Sequence, residues 1–478
     1  MKREFLLNIV FLLGINLLIK PFFIFGIDRT VQNIVGPEEY GIYAVLLSLI
    51  YMVQVVNDLG LRSFNNRTIA QHPHLLDKLF GRILGLKVVL AIAYALVLVG
   101  IAYVMDYRSP REQFILGVLW FNQVLVSITL YFRTNISGLG LYRIDSIISA
   151  LDKFLMILLV GALILFRPQS VRIESFILGQ TMALLLTSYV AFLVVKKRLV
   201  LPLKIRFDPT YFRSLLRQSF PFALIILLTS IYTRIDSIML EQLIGYAEAG
   251  VYAAAYRLLD AVNMIGFLFA GLLLPIFSKM LKQRQPVGSL VRTSAQLIWA
   301  GAIPLAVAAV VFRVEIMQLL YDEATPVWGD VLAPLILSFV AVCGNYIYGT
   351  LLTANGNLRR MNILFAVSIP INALLNAYLI PRFGAAGASW ATFVTQFMVM
   401  LAQIELARRE VGLRFAGGMI SRLLGYVGAL AVSGYCLSTY PMLDWRLGFF
   451  GLLLGSGLLA MVFGLIEWRN ALRYLRER

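Results

Sequence analysis

Apolar runs of about 20 residues, each long enough to cross a bilayer, alternate along this chain with short polar stretches. About fourteen such runs can be placed. They centre near Gly14, Ser48, Ala95, Gln123, Leu158, Leu185, Leu228, Gly266, Gly301, Leu337, Leu374, Phe393, Val427 and Leu454. The connections are short, which leaves no room for a sizeable soluble domain on either side. The pattern predicts an all-α polytopic membrane protein of about 14 transmembrane helices. The first run follows a basic tip but is too long for a signal peptide and lacks a small-x-small cleavage site. It is expected to stay as a span.

Composition agrees. Hydrophobic residues make up 60% of the 478 and charged residues 14%, with a mean hydropathy of +0.82. A soluble domain cannot cover itself with so little charge. The net charge of +17 would suggest nucleic acid if it formed a basic face, but no block large enough is present. It is distributed by loop instead. With the first residue placed in the cytoplasm, about 31 Lys and Arg fall on the inner side and about nine on the other, the positive-inside signature. Both ends of the chain are then expected in the cytoplasm, with anionic lipids as partners of the basic loops. Cys343 and Cys436 sit in apolar stretches, which argues against a disulfide framework or thiolate metal site. His72 and His74 flank Pro73 in a polar loop and read as solvated. No metal, cofactor or nucleic-acid partner is expected, and no phosphate loop, nucleophile elbow or ligand cluster points to an enzyme.

A repeat organises the spans. IVGPEEYGIYA (34–44) and LIGYAEAGVYA (243–253) match at Gly36/Gly245, Glu39/Glu248, Gly41/Gly250, Tyr43/Tyr252 and Ala44/Ala253. SGLGLYR (137–143) and TANGNLR (353–359) add Gly140/Gly356 and Arg143/Arg359. Six spans separate the first two copies. Six is even, so both face the same side and the halves are parallel repeats. Each stretch reads as a helical hairpin tip. Gly36 ends one helix, Pro37 fits the first turn of the next, and Gly41 and Gly250 permit close helix approach. The expected organisation is a six-helix lobe over 1–195, a basic cytoplasmic linker over 196–217, a second six-helix lobe over 218–410, and two further helices over 411–478. Asp208 should cap a helix with Pro209 in its first turn, lying amphipathic at the inner headgroups.

Ionisable residues at membrane depth cost roughly 2.5–3.5 kcal/mol each on insertion scales and need a reason. Lys20, Arg234, Asp236, Arg257 and Asp260 lie in spans, Asp152 and Lys153 near the inner end of one, and Asp58 closes span two. Arg257 and Asp260, spaced i, i+3, either neutralise each other or line a cavity for an anion. Arg suits phosphate because its planar fork donates two hydrogen bonds at once. Substrate-binding candidates are Arg257, Arg234, Lys20, Tyr252, Tyr256 and Asn345. Candidates for coupling or gating are Asp28, Asp58, Asp236 and Asp260.

TRIDSIMLEQLIGYAEAGVYAAAYRLLD (233–260) and LLLPIFSKM (272–280) resemble the polysaccharide exporters of the multidrug/oligosaccharidyl-lipid/polysaccharide superfamily. Within it they are most similar to Wzx-type O-antigen flippases. VGPEEYGIYAVLLSL, DLGLRSFNNRTIA and PRFGAAGASWAT (381–392) extend the resemblance over the whole chain. It implies two six-helix lobes around a cavity, alternating access, and a monomer. The implied cargo is an undecaprenyl-pyrophosphate-linked oligosaccharide, with H+ or Na+ coupling possible. Arg257 falls where related lipid II flippases keep a cavity arginine, and Asp28 matches an acidic position of their first span. Lys20-Pro21 stands where they have an arginine close by, and Val53 to Asn57 where they have a basic run. Both departures argue against lipid II as cargo. Two competing readings are a cation-coupled multidrug exporter of the same fold and, from another class, a membrane O-antigen polymerase or glycosyltransferase. The exporter would need an acidic cavity and the enzyme a large outer loop or soluble domain.

Overall fold

The computed structural model describes residues 14–465 except 17, 63, 66–68, 70–75, 139, 200–204, 414–417 and 441–443. His72, His74, Arg67, Arg414 and the basic tail Arg469–Arg478 lie outside the described residues. Helices in chain order are α1 (Arg29–Val53), α2 (Leu76–Val104), α3 (Pro110–Gly138), α4 (Tyr142–Phe166), α5 (Ile173–Leu199), α6 (Pro209–Leu243) and α7 (Tyr246–Lys282). They continue with α8 (Gly288–Val311), α9 (Arg313–Leu320), α10 (Pro326–Ala354), α11 (Leu358–Val411), α12 (Gly418–Thr439) and α13 (Trp445–Val462). No strand occurs among the described residues. Twelve helical stretches are long and apolar enough to cross a membrane. Two of them are double. Gly14–Asn57 turns at Gly36 (φ 81°), and α11 turns at Gly384 (φ 55°). All fourteen sequence-derived centres fall inside these twelve stretches, so the chain is a multi-pass all-α membrane protein.

Side-chain exposure fits a lipid environment. Val104 is 84% exposed and Leu454 80%, and many apolar side chains between them face outward, which water would penalise and hydrocarbon does not. Inside, the chain divides into two compact units, Met1–Gly250 and Val251–Arg478. In the first, α3 packs on α5, α5 on α4, and α1 on α6; in the second, α10 packs on α11 and α8, and α12 and α13 on α8 and each other. The inside of the first unit includes large rings with no exposure, among them Tyr40, Tyr94, Phe80 and Tyr131.

The repeat is visible in backbone geometry. After α3, Gly140 (φ 79°) donates its N–H to Ser137 O at 2.9 Å, and Leu141 donates to Ile136 O at 3.2 Å. After α10, Gly356 (φ 83°) donates to Thr353 O at 3.1 Å, and Asn357 to Leu352 O at 3.0 Å. Both are Schellman caps, which need a residue in the left-handed region and so favour glycine. The basic segment between the halves is mostly helix. Lys196 and Lys197 continue α5, and Asp208 caps α6 by accepting from the Tyr211 N–H at 3.1 Å, with Pro209 in the first turn. The amphipathic helix expected to lie in the membrane plane is instead the start of α6. At 35 residues and about 1.5 Å per residue, α6 outruns a hydrocarbon core of about 30 Å. Residues 205–208 lie across α2, where the Arg206 N–H reaches Gly81 O at 3.0 Å. A Cβ on Gly85 would stand 2.4 Å from Arg206 O.

Candidate functional site

Three groupings of polar side chains stand out, two in the first unit and one in the second. The first is where the repeated tips meet. A Cβ on Gly41 would stand 1.9 Å from Tyr246 O, and one on Gly250 would stand 1.8 Å from Pro37 O. At the repeat offset Gly41 corresponds to Gly250 and Pro37 to Tyr246. The two contacts are therefore one contact made from each copy, the reciprocity of a two-fold relation. Only glycine lets the two backbones come this close. Gln32, 2% exposed, donates to Gly250 O at 3.3 Å.

The start of α3 clasps both tips. Arg111 Nη1 donates to Glu39 at 2.8 Å and its Nε to Glu174 at 2.7 Å, while Glu112 accepts from the Tyr246 hydroxyl. Tyr107 donates to Glu241 at 2.6 Å. Burial, then that carboxylate, raises the Tyr107 pKa above its ordinary value. Behind the first tip, both oxygens of Asp28 accept from the Tyr40 hydroxyl at 3.0 and 2.9 Å. This ties the helix before Gly36 to the helix after it.

The second grouping collects charge inside the first unit. Lys87 of α2 is 3% exposed and donates to Asp58 at 2.7 Å and Ser127 at 2.8 Å. Arg133 meets Asp145 through Nε at 2.7 Å and Nη2 at 3.4 Å. Lys153 lies 3.4 Å from Asp152 and 4.7 Å from the centre of the Phe23 ring. Lys20 sits in the field of Asp152, Arg133 and Lys153, of which Arg133 and Lys153 each face an acid of their own. Arg234 lies over the Tyr51 ring at 5.1 Å, and Asp236 is 2% exposed.

The third belongs to the second unit. Arg257 and Asp260 approach to 3.7 Å and keep 24% and 30% of their side-chain surface exposed, loose for an ion pair. Tyr252, expected to touch substrate, is 1% exposed, and its hydroxyl bonds Thr392 Oγ at 3.0 Å. Tyr256 stacks beside it at 5.6 Å and is partly exposed. Asn345 donates to Gln396 Oε1 at 3.0 Å. A buried amide–hydroxyl ladder runs nearby on α11, from Asn376 to Asn372 at 3.0 Å and from Asn372 to Thr395 at 3.4 Å.

Thus Lys20 lies near Arg133, Asp152 and Lys153, Arg257 lies near Asp260, Tyr252 bonds Thr392, and Asn345 bonds Gln396. Sequence reasoning missed Lys87, although a lone lysine in ILGLKVVLAIAYALVLVG is an audible signal. Arg82, close before it, made the run read as a charged flank. Arg111, Glu112 and Tyr107 were missed because a polar loop end carries no local sign of what it will hold.

A lipid III flippase of Escherichia coli K12 is 24% identical over 402 residues, covering 78% of this chain and 92% of that protein, and the Shigella flexneri lipid III flippase matches equally. Among solved structures, the lipid II flippase MurJ in an inward closed conformation superposes with a TM-score of 0.69 at 14% identity, covering 98% of this chain and 99% of that one. An inward-facing multidrug resistance transporter of the MATE family gives 0.62 at 14% identity, covering 80% and 94%. These likenesses establish the fold. Residues 6–281, more than half the chain, match the model of the family described as polysaccharide biosynthesis protein, and the chain belongs to that family.

Proposed function

We propose that this protein is a transporter, not an enzyme, that flips a lipid-linked oligosaccharide across the bacterial inner membrane by alternating access. In this reading both chain ends are cytoplasmic and the cargo passes from inner to outer leaflet. The cargo is an O-antigen-type repeat unit on undecaprenyl pyrophosphate, and the protein works as a monomer whose basic loops touch anionic lipid. The observation that carries the reading is the match of residues 6–281 to the polysaccharide biosynthesis family, joined by cations set within the spans. Lys20 lies in the field of Arg133, Lys153 and Asp152, and Arg257 stands 3.7 Å from Asp260. Ionisable groups at membrane depth are costly and need a reason, and cations among them suit a pyrophosphate between lipid and sugar. The likeness to proteins named lipid III and lipid II flippases supports the same class of cargo. Solved neighbours of the multidrug type suggest an exporter as the second reading, but the family match favours a sugar-bearing cargo.

The test is reconstitution. Vesicles holding the full chain and a fluorescent undecaprenyl-pyrophosphate oligosaccharide should expose inner-leaflet label to an external quencher, and protein-free vesicles should not. Failure to move this lipid, together with gradient-driven efflux of cationic dyes, would replace the flippase by the exporter.

A further inference from the structure

Beside the Lys87–Asp58 pair, the end of α1 builds a small pocket with a polar edge. After Val53 the chain tightens into a 3-10 turn, Gln54–Asn57, and then passes through Leu59 at φ 41° and Gly60 at φ 77°. A leucine in the left-handed region is strained, and such strain persists where the surroundings demand a particular side-chain placement. Here it turns the polar groups of residues 54–62 toward α3. The resulting cavity, about 230 Å³, has a polar edge of Gln54, Asn57, Asp58, Arg62, Gln123 and Ser127, and apolar side chains such as Val126 and Ile226 form much of the rest. It lies wholly within the first unit.

The polar atoms divide into a fixed floor and a wall with open valences. The floor is the buried Lys87 ammonium on Asp58 and Ser127, at 2.7 and 2.8 Å. The second Asp58 oxygen is taken by the Arg62 N–H at 3.1 Å. On the wall, Gln123 donates to Gln54 Oε1 at 2.7 Å, and Asn57 donates to the Gln123 carbonyl at 3.2 Å. Gln54 Nε2, Gln123 Oε1 and Asn57 Oδ1 make no hydrogen bond among the described residues, nor does the Arg62 guanidinium. One donor and two acceptors therefore stand beside a cation. Lys87, Arg62 and Asp58 together leave one positive charge.

Amides in that arrangement suit hydroxyl groups, which donate and accept in the same way. Arg62 suits a phosphate oxygen. The volume falls below the roughly 300–1,000 Å³ of pockets for drug-sized ligands, so one ring fits and a chain of rings does not. We propose that this pocket receives the first sugar of the lipid-linked cargo, with its ring hydroxyls on Gln54, Asn57 and Gln123 and the adjoining phosphate on Arg62. The proposal rests on the flippase reading and adds to it a specificity site for the sugar next to the pyrophosphate.

The test measures binding of three soluble probes to the purified full chain: farnesyl diphosphate, and the same lipid carrying one glucose or one N-acetylglucosamine. The native protein should bind at least one sugar-bearing probe about tenfold more tightly than farnesyl diphosphate, as one or two neutral hydrogen bonds would give. Gln123→Leu should erase that preference while leaving farnesyl diphosphate binding unchanged, which also reports an intact fold. Arg62→Ala should weaken all three probes alike. Gln54→Leu decides the matter if Gln123→Leu binds nothing, and it should erase the preference too. A sugar preference that survives in Gln54→Leu or Gln123→Leu overturns the pocket while leaving the flippase reading standing. No binding of any probe to the native protein overturns both.

Discussion

Replacing Gly41 by alanine should hold the two repeated tips apart. The new methyl would stand 1.9 Å from Tyr246 O, and nonbonded carbons do not come within 3.0 Å, so the backbones must part by more than 1 Å. Neither partner is the end of a flexible side chain that can swing away. Overpacking of this kind costs about 1–3 kcal/mol, which shifts the balance between closed and parted tips by about five- to 150-fold. Gly250→Ala presses on Pro37 O from 1.8 Å and should act alike. The double variant should cost less than the sum, because tips already parted by one methyl accommodate the other. Gly100→Ala, in α2 with nothing within 4 Å, is the silent control. Spin labels at Glu38 and Ala247, both exposed and equivalent in the repeat, report the separation without entering the contact. The expected result is a longer distance distribution and slower flipping in both single variants. An unchanged distribution with normal transport in Gly41→Ala would refute the reasoning, since the closed contact could then not be part of the working cycle.

Arg257→Ala should lower flipping at least tenfold in protein that still inserts and folds, with Arg257→Lys recovering part of the loss because a point charge lacks the two-pronged geometry. If Arg257 only neutralises Asp260, 3.7 Å away, the double change Arg257→Ala with Asp260→Ala will restore transport in the same assay. A pyrophosphate moving outward down an inside-negative potential gains about 2.3 kcal/mol per charge per 100 mV, roughly 4–5 kcal/mol for two charges. Flipping in reconstituted vesicles should therefore quicken with an imposed potential; rates that instead follow a sodium or proton gradient would point to an ion-coupled cycle.

What the sequence made legible was what the chain encodes locally. Gly36, Gly140, Gly245 and Gly356 all adopt positive φ, and a glycine repeated in both halves marks a backbone need that nearest neighbours reveal. Span count was legible for the same reason, because hydrocarbon thickness imposes one length on every crossing. The polar contacts were less accessible. Asp28 was marked as a coupling or gating candidate, and nothing local showed that Tyr40, twelve positions on, donates to both its oxygens. Tyr252 was marked as a substrate-binding candidate, and nothing local showed its bond to Thr392, 140 residues on. A side chain's partner is decided by tertiary packing that no local pattern carries. The in-plane helix failed differently. The amphipathic start of α6 was recognised, but nothing in a basic, mixed stretch says whether the next apolar run continues the same axis or bends from it.

The tip contact and the sugar pocket are carried by the same helix. From Gly41 to Val53, α1 runs without a break, about 18 Å of rigid rod, and Gln54 and Asn57 follow in the turn that ends it. The Tyr94 hydroxyl on Ile50 O, at 2.8 Å, fixes this stretch to α2, which also supplies Lys87. When the tips part, α1, its terminal turn and α2 must therefore move largely as one body, since a helix bends only where its hydrogen bonds are interrupted. The pocket's internal geometry should then be the same with the tips together or apart. Selectivity for the first sugar and the rate of alternation become separable properties. Gly41→Ala should slow turnover without altering the preference for sugar-bearing over bare diphosphate, and Gln123→Leu should do the reverse at the level of binding. Such a division lets one scaffold keep its closing contact while the residues at 54–62 and 123 vary with the cargo.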